Sequence, residues 1–308
     1  MRGVSLVDLL PAGAPAPPPR PRRVGVALGG GSARGYAHIG VLASLERGGL
    51  SPDVVVGTSF GAVVGALYAL GRSPAAMRVE AERLRRRDVF PHIVDVGVRR
   101  GALLAGDRLE AYFDRLVEGR HFADLGRTFA VVATDVDTGE RVLLRHGPLA
   151  PALRASASLP GLFAPVVLGG RRLIDGGIGT PVPLDTLADF DVDLALGIGA
   201  GVATSDSRTL RVVRRALASP TGRATRGLLR GRDGRPRSAW SGLARAVALA
   251  ADAWSHSGDD AADALERLHV QTRPPISWLR FDRAGLAIAA GDAAMEVAWP
   301  RLRLALER

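Results

Sequence analysis

The chain has 308 residues, 47% of them hydrophobic, and a formal net charge of +10, a size and apolar content that suit one large α/β domain or two smaller ones and exclude a generally disordered chain. It contains no cysteine, which excludes disulfide scaffolds, thiolate metal centres and cysteine nucleophiles. No apolar run approaches the ~20 residues of a membrane span, so a cytoplasmic protein is expected, at most peripheral to the inner face of a membrane.

All 41 basic residues are arginine, a bias that a GC-rich coding sequence produces by itself. The charge still attracts acidic surfaces. Aromatic residues make up only 5% and do not interleave with the arginine clusters, so the stacking platforms of a single-strand binder are missing and nucleic acid is disfavoured as a partner.

Along the chain, residues 1–23 are rich in proline and end in Arg22 and Arg23, which favours an extended, poorly ordered tail. A single domain is expected over 24–308. Val24 to Leu28 reads as a buried strand, Gly29 to Gly35 as a glycine-rich turn, and Tyr36 to Arg47 as a helix with Ile39, Leu42 and Leu45 on one side. Val54 to Val56 is a second strand, followed by Gly57-Thr58-Ser59-Phe60-Gly61 and a helix through Tyr68. This β-α-β-α series builds a parallel sheet. Residues 74–125 read as helical, Thr128 to Thr134 and Arg141 to Arg145 as a hairpin, and Leu149 to Ala157 as a short helix. Arg172 to Ile174 is a strand entering Asp175-Gly176-Gly177, and Asp193 to Ile198 is another buried strand. Residues 205–238 hold ten arginines among Gly, Ser and Pro and read as an insertion or loop. Ala239 to Trp254 reads as an apolar helix, Val270 to Arg273 as a short strand, and Ala284 to Leu306 contains a closing helix. The fold class is α/β: a mostly parallel central sheet flanked by helices on both faces.

Strand, sharp turn and helix around Ser59 form an elbow with the serine at its apex. Gly57 and Gly61 give the room that two touching backbones need, and the helix start offers amides to a developing oxyanion. The pattern points to acyl transfer or ester hydrolysis. The turn after the first strand fails as a dinucleotide fingerprint, because the sixth position counted from Gly29 is Arg34, the third counted from Gly30 is Ser32, and the next strand ends in Gly57 instead of an acid. Its other reading is an oxyanion loop, since consecutive small residues expose several amides at the height of Ser59.

A serine hydroxyl needs a base. His38, His92, His121 and His146 sit in contexts that suit surface or packing roles. His256 and His269 follow both Ser59 and Asp175, which preserves the Ser, Asp, His order of an α/β-hydrolase triad and leaves a histidine open by spacing. Asp175 has the most distinctive carboxylate setting, at a strand end before two glycines.

Leu28 to Leu42 (LGGGSARGYAHIGVL), Gly57 to Gly61, Thr134 to Glu140 (TDVDTGE), Arg154 to Pro165 (RASASLPGLFAP) and Asp175-Gly176-Gly177 together resemble the patatin-like phospholipase family, most closely its short bacterial members. The resemblance spans residue 24 to about 200, with a weaker likeness over Ile288 to Ala294. It implies a three-layer α/β/α fold and a hydrolase of lipid carboxylic esters, working with a Ser-Asp dyad and no cofactor, metal or catalytic histidine. Ser59 corresponds to the nucleophile and Asp175 to the base. Gly30, Gly31 and Ser32 correspond to the oxyanion loop, and Arg34 to its basic residue, anchoring either the loop or a lipid phosphate. Acyl transfer to another lipid fits the same fold, as does a membrane-binding protein with little catalysis. Ser32 departs from the glycine that many members carry and adds a side chain beside the nucleophile.

Overall fold

A computed structural model describes residues 22–85, 95–99, 102–201, 265–277 and 279–308. Most of the proline-rich tail, the arginine-rich stretch 205–238 and the helix expected over Ala239 to Trp254 lie outside the described residues. The two arginines that close the tail are tied to the domain. Arg22 pairs with Glu266 at 2.8 Å, and the Arg23 amide donates to Asp193 Oδ2 at 2.7 Å.

The chain first builds β1 (Val24–Leu28), α1 (Ala37–Arg47), β2 (Val54–Thr58), α2 (Phe60–Ala69) and α3 (Pro74–Arg83). A small antiparallel pair, β3 (Val96–Arg99) and β4 (Ala102–Leu104), precedes α4 (Asp107–Leu116). Then come β5 (Thr128–Asp135), β6 (Arg141–Leu144), α5 (Leu149–Ser156), β7 (Val166–Leu168), β8 (Arg171–Asp175) and β9 (Leu194–Gly199). β10 (Glu266–Gln271) and the closing α6 (Ala284–Leu306) complete the described chain.

The central sheet has eight strands, linked by hydrogen bonding in the succession β10-β9-β1-β2-β5-β8-β7, with β6 also on β5. β10 through β5 run parallel, while β6, β7 and β8 are antiparallel additions. Alternation along the strands divides the core. Val24, Val26, Leu28, Val55, Phe129, Val131 and Leu196 face the helices. Ala27, Val54, Val56, Ala130, Val132 and Ala195 face the other way, where a 3-10 turn at Asp185–Asp189 and its flanks cover them with Leu187, Leu184, Phe190 and Val192.

Three elements differ from the sequence expectation. Residues 74–125 are not helical throughout, because the Val-Gly-Val alternation at 96–98 forms β3. The pair Gly169 and Gly170, both at positive φ, closes a two-residue hairpin between β7 and β8, so a strand precedes the one expected at Arg172. β10 begins at Glu266, four residues before the expected Val270, with charged residues tolerated on a sheet edge.

The closing helix crosses α1 at glycines. A Cβ on Gly40 would overlap the Ile288 carbonyl, and one on Gly291 would overlap the Ala37 carbonyl. This contact braces the start of α1, to which the glycine-rich turn is joined. Gly291→Ala should therefore destabilise the protein by about 1–3 kcal/mol, read as a lower urea midpoint; an unchanged midpoint would contradict the crossing.

Candidate active site

β5 explains how the site is assembled. β6 pairs with Val131 to Thr134, overlapping both the β2 pairing at Thr128 to Val132 and the β8 pairing at Ala133 to Asp135. β6 therefore occupies one edge of β5, and β2 and β8 share the other. β2 ends at Thr58 opposite Val132, and β8 arrives from the opposite direction to end at Asp175 opposite Ala133. The last residues of the two strands meet at adjacent positions of one neighbour.

Ser59 follows Thr58, and its Oγ donates a 2.8 Å hydrogen bond to Asp175 Oδ2. The other oxygen, Oδ1, accepts from the Gly177 amide at 2.7 Å. Asp175 is only 3% exposed. Burial pushes its carboxyl up to about 6, against the smaller lowering effect of the Ser59 and Gly177 hydrogen bonds.

Ser59 adopts φ 53°, ψ −125°, a conformation that costs a non-glycine residue about 1–3 kcal/mol. The neighbouring glycines permit it. A Cβ on Gly57 would strike Ala62, and one on Gly61 would strike the Leu28 and Gly29 carbonyls. A Cβ on Gly176 would run into the Val132 carbonyl, so this glycine lets the Asp175 turn lie against β5.

The glycine-rich turn lies beside the serine. Gly30 would carry a Cβ 3.4 Å from Ser59 Cβ. Its own amide is engaged, donating to the Pro181 carbonyl at 2.9 Å, and the Gly29 amide donates to Ile198 O at 2.9 Å. Gly30 therefore supplies close approach to Ser59, with its own amide committed to Pro181. The Gly31 and Ser32 amides have no acceptor among the described residues. Ser32 has φ 50°, in the left-handed region that favours glycine. Arg34 Nε donates to Ile276 O at 3.0 Å and ties the loop to the segment after β10.

Three of the described histidines fall elsewhere. His121 and His146 are exposed. His269 lies on β10, paired with Gly197 of β9 and three strands from β2, which is roughly 14 Å at sheet spacing. His92 and His256 lie outside the described residues. Among the described residues no cluster of three or more His, Asp or Glu could hold a metal ion, and no helix is long and apolar enough to cross a membrane.

Two residues that the sequence reading left without a role support this geometry. Ser156 is fully buried; its Oγ accepts from the Ser59 amide at 2.7 Å and donates to the Val132 carbonyl at 2.6 Å. One hydroxyl thus joins the elbow to the strand against which Gly176 packs. Arg154, 2% exposed, donates to the carbonyls of Gly106, Ala105 and Ala164, bonds Ser158, and covers the Phe163 ring. It knits the 105–106 and 158–164 loops to α5, and Ser158 in turn accepts from the Asp175 amide at 2.9 Å. An arginine and a serine within the short, otherwise apolar run of α5, with Ser158 two residues beyond it, were the available signal.

At the end of a mostly parallel sheet, an elbow serine is thus hydrogen-bonded to a strand-end aspartate, beside a loop with two amides that have no acceptor among the described residues. The chain belongs to the patatin-like phospholipase family, whose model matches residues 26–188. It is 36% identical over 176 residues to an uncharacterized NTE family protein of Mycobacterium tuberculosis, an alignment covering 57% of this chain and 48% of that protein. It is 30% identical over 182 residues to patatin-like phospholipase domain-containing protein 6 of Mus musculus, covering 58% of this chain and 13% of the mouse protein. The chain thus spans about half the length of the mycobacterial relative and far less of the mouse one. VipD from Legionella pneumophila aligns over 91% of this chain and 67% of its own, with a TM-score of 0.49 and 13% identity.

Ser156→Ala leaves the Ser59 amide and the Val132 carbonyl without their shared partner. It should cost about 1–3 kcal/mol in denaturant unfolding; a variant as stable as the parent would mean that the hydroxyl carries no such link.

Proposed function

We propose that the protein hydrolyses carboxylic esters of lipids, with Ser59 as nucleophile and Asp175 as its base. The observation that carries this reading is the 2.8 Å hydrogen bond from Ser59 Oγ to Asp175 Oδ2, made where membership of a phospholipase family directs attention. Asp175 takes the Ser59 proton as Oγ attacks the acyl carbonyl carbon. The carbonyl oxygen becomes an oxyanion held by the Gly31 and Ser32 amides, each such donor being worth roughly 3 kcal/mol in the transition state. The protonated Asp175 gives its proton to the leaving alkoxide as the ester bond breaks. Water, deprotonated by the same carboxylate, then attacks the acyl-enzyme and releases the fatty acid. A lipid hydroxyl in place of that water turns hydrolysis into acyl transfer.

Arg34 anchors the loop by its Nε–H, which donates to Ile276 O. The basic charge of the chain supports peripheral contact with anionic lipid, since each arginine near such a surface adds about 1 kcal/mol. Deleting 205–238 should weaken binding to phosphatidylglycerol vesicles at low salt; undiminished binding would remove that stretch from the interface.

Ser59→Ala should lower the hydrolysis of p-nitrophenyl butyrate by at least about 10³-fold, as expected when a nucleophile is removed. A rate equal to the parent's would refute the assignment. Because Asp175 must be ionised to accept the proton, kcat/KM should fall below a midpoint near pH 6. The sign for stability is opposite. The folded carboxyl sits above its ordinary 3.8, so its stabilising contribution is complete below that value and is lost as pH rises through about 6. Asp175→Asn should thus be inactive yet at least as stable as the parent at pH 7.5, and a clear loss of Tm there would contradict the buried-carboxylate account.

A further inference from the structure

His38, in the first turn of α1, is fully buried. Its Nε2 lies 2.7 Å from the Gly29 carbonyl oxygen, an atom that only accepts hydrogen bonds. Nε2 therefore carries the proton. Burial pushes the imidazole down to about 4, so at neutral pH the ring has one N–H and Nδ1 is a bare acceptor. That Nδ1 is buried and has no partner among the described residues. An apolar side chain would fill the space without stranding an acceptor, so packing alone does not account for an imidazole here.

The carbonyl it binds belongs to the Gly29–Gly30 peptide, and the six atoms of a peptide unit are coplanar. At one end of this plane the oxygen accepts from His38; at the other the Gly30 N–H donates to Pro181 O at 2.9 Å. Pinning both ends sets the rotation of the plane. The next two amides along the chain are those of Gly31 and Ser32, the pair without acceptors among the described residues. The elbow glycine Gly61 also presses its Cα toward the Gly29 carbonyl, so loop and elbow meet at the atom that His38 holds.

We propose that His38 is a positioning residue for the oxyanion loop: its Nε2–H and the Pro181 carbonyl fix the Gly29–Gly30 peptide and so aim the Gly31 and Ser32 amides at the carbonyl that Ser59 attacks. The inference rests on the hydrolase reading above, although the hydrogen bond itself can be tested without activity.

Two measurements decide it. Long-range ¹⁵N spectra of the parent protein at pH 7 should show His38 as the Nε2–H tautomer; the Nδ1–H tautomer would leave no donor for Gly29 and overturn the proposal. This is read without any variant, so it survives a substitution that fails to fold. In kinetics, His38→Leu should lower kcat on p-nitrophenyl butyrate about tenfold or more, as partial misplacement of an oxyanion donor predicts, with little change in KM. It should weaken an alkyl trifluoromethyl ketone in parallel, leave the affinity for the fatty acid product unchanged, and regain most of its rate in His38→Gln, which restores an N–H donor. A folded His38→Leu protein with parental kcat overturns the proposal, as does a loss that follows Tm and is not recovered by glutamine. Equal rates for the parent and Ser59→Ala would instead sink the hydrolase reading, leaving the tautomer to decide the hydrogen bond.

Discussion

The shared edge of β5 is the constraint on which the rest of the site depends. A parallel strand can deliver a side chain only at its carboxyl end, and β2 delivers Ser59 there. A second parallel strand would have to lie beside it, one strand spacing away. β8 instead runs antiparallel along the same edge and finishes opposite Ala133, one residue beyond the Val132 that faces Thr58. Two backbone ladders therefore set the separation of Ser59 and Asp175, with no flexible connection between them. Groups held in this way lose little further freedom when they react.

Bringing two strand ends into contact leaves no space for side chains at the junction, and that explains where glycine is required. Gly57 and Gly61 let β2 turn into α2, and Gly176 lets the Asp175 turn rest on Val132 O. The same junction carries a positive φ at Ser59 and a carboxylate out of water. Both lower stability, and neither contributes to the core. What holds them is a set of buried polar links: Ser156 to the Ser59 amide, Gly177 to Asp175 Oδ1, and Ser158 to the Asp175 amide. The structure spends stability at the point of chemistry and recovers it in the surrounding network.

How much of this was legible in the sequence depended on whether the signal was local. β1, α1, β2 and α2 follow from apolar runs punctuated by glycine, and α6 from its long apolar pattern, because each element is specified by its own residues. Ser59 and Asp175 could be named from their turns, and the family motifs joined them. Their hydrogen bond could not be read, since it arises from strand order and register, which pair residues more than a hundred positions apart. The same limit hid Ser156, whose role lies entirely in two backbone partners on other elements. It also hid the difference between Gly30, whose amide is taken by Pro181, and the two residues after it, whose amides have no acceptor among the described residues. His38 looked like a packing residue because its acceptor is a main-chain carbonyl, for which the sequence has no letter. β7 was missed for another reason: three residues are too few for periodicity to register, and only the Gly169-Gly170 pair marked the hairpin.

Burial acts on the two titratable groups nearest the loop and elbow in opposite directions. It raises the Asp175 carboxyl to about 6 and lowers the His38 imidazole to about 4, because in each case it penalises the charged form. The order of the two groups is thereby inverted relative to water: the carboxyl becomes the better proton acceptor and the imidazole the poorer one. A histidine base in a serine hydrolase works because its affinity for a proton lies near neutrality. Here a desolvated aspartate reaches that range by itself, in direct contact with Ser59 Oγ, and the buried imidazole is left uncharged with one N–H committed to Gly29. Environments that push two titratable groups apart also divide the labour between them. On that division, the proton transfer we propose falls to Asp175, and the role we propose for His38 is to hold the backbone of the oxyanion loop.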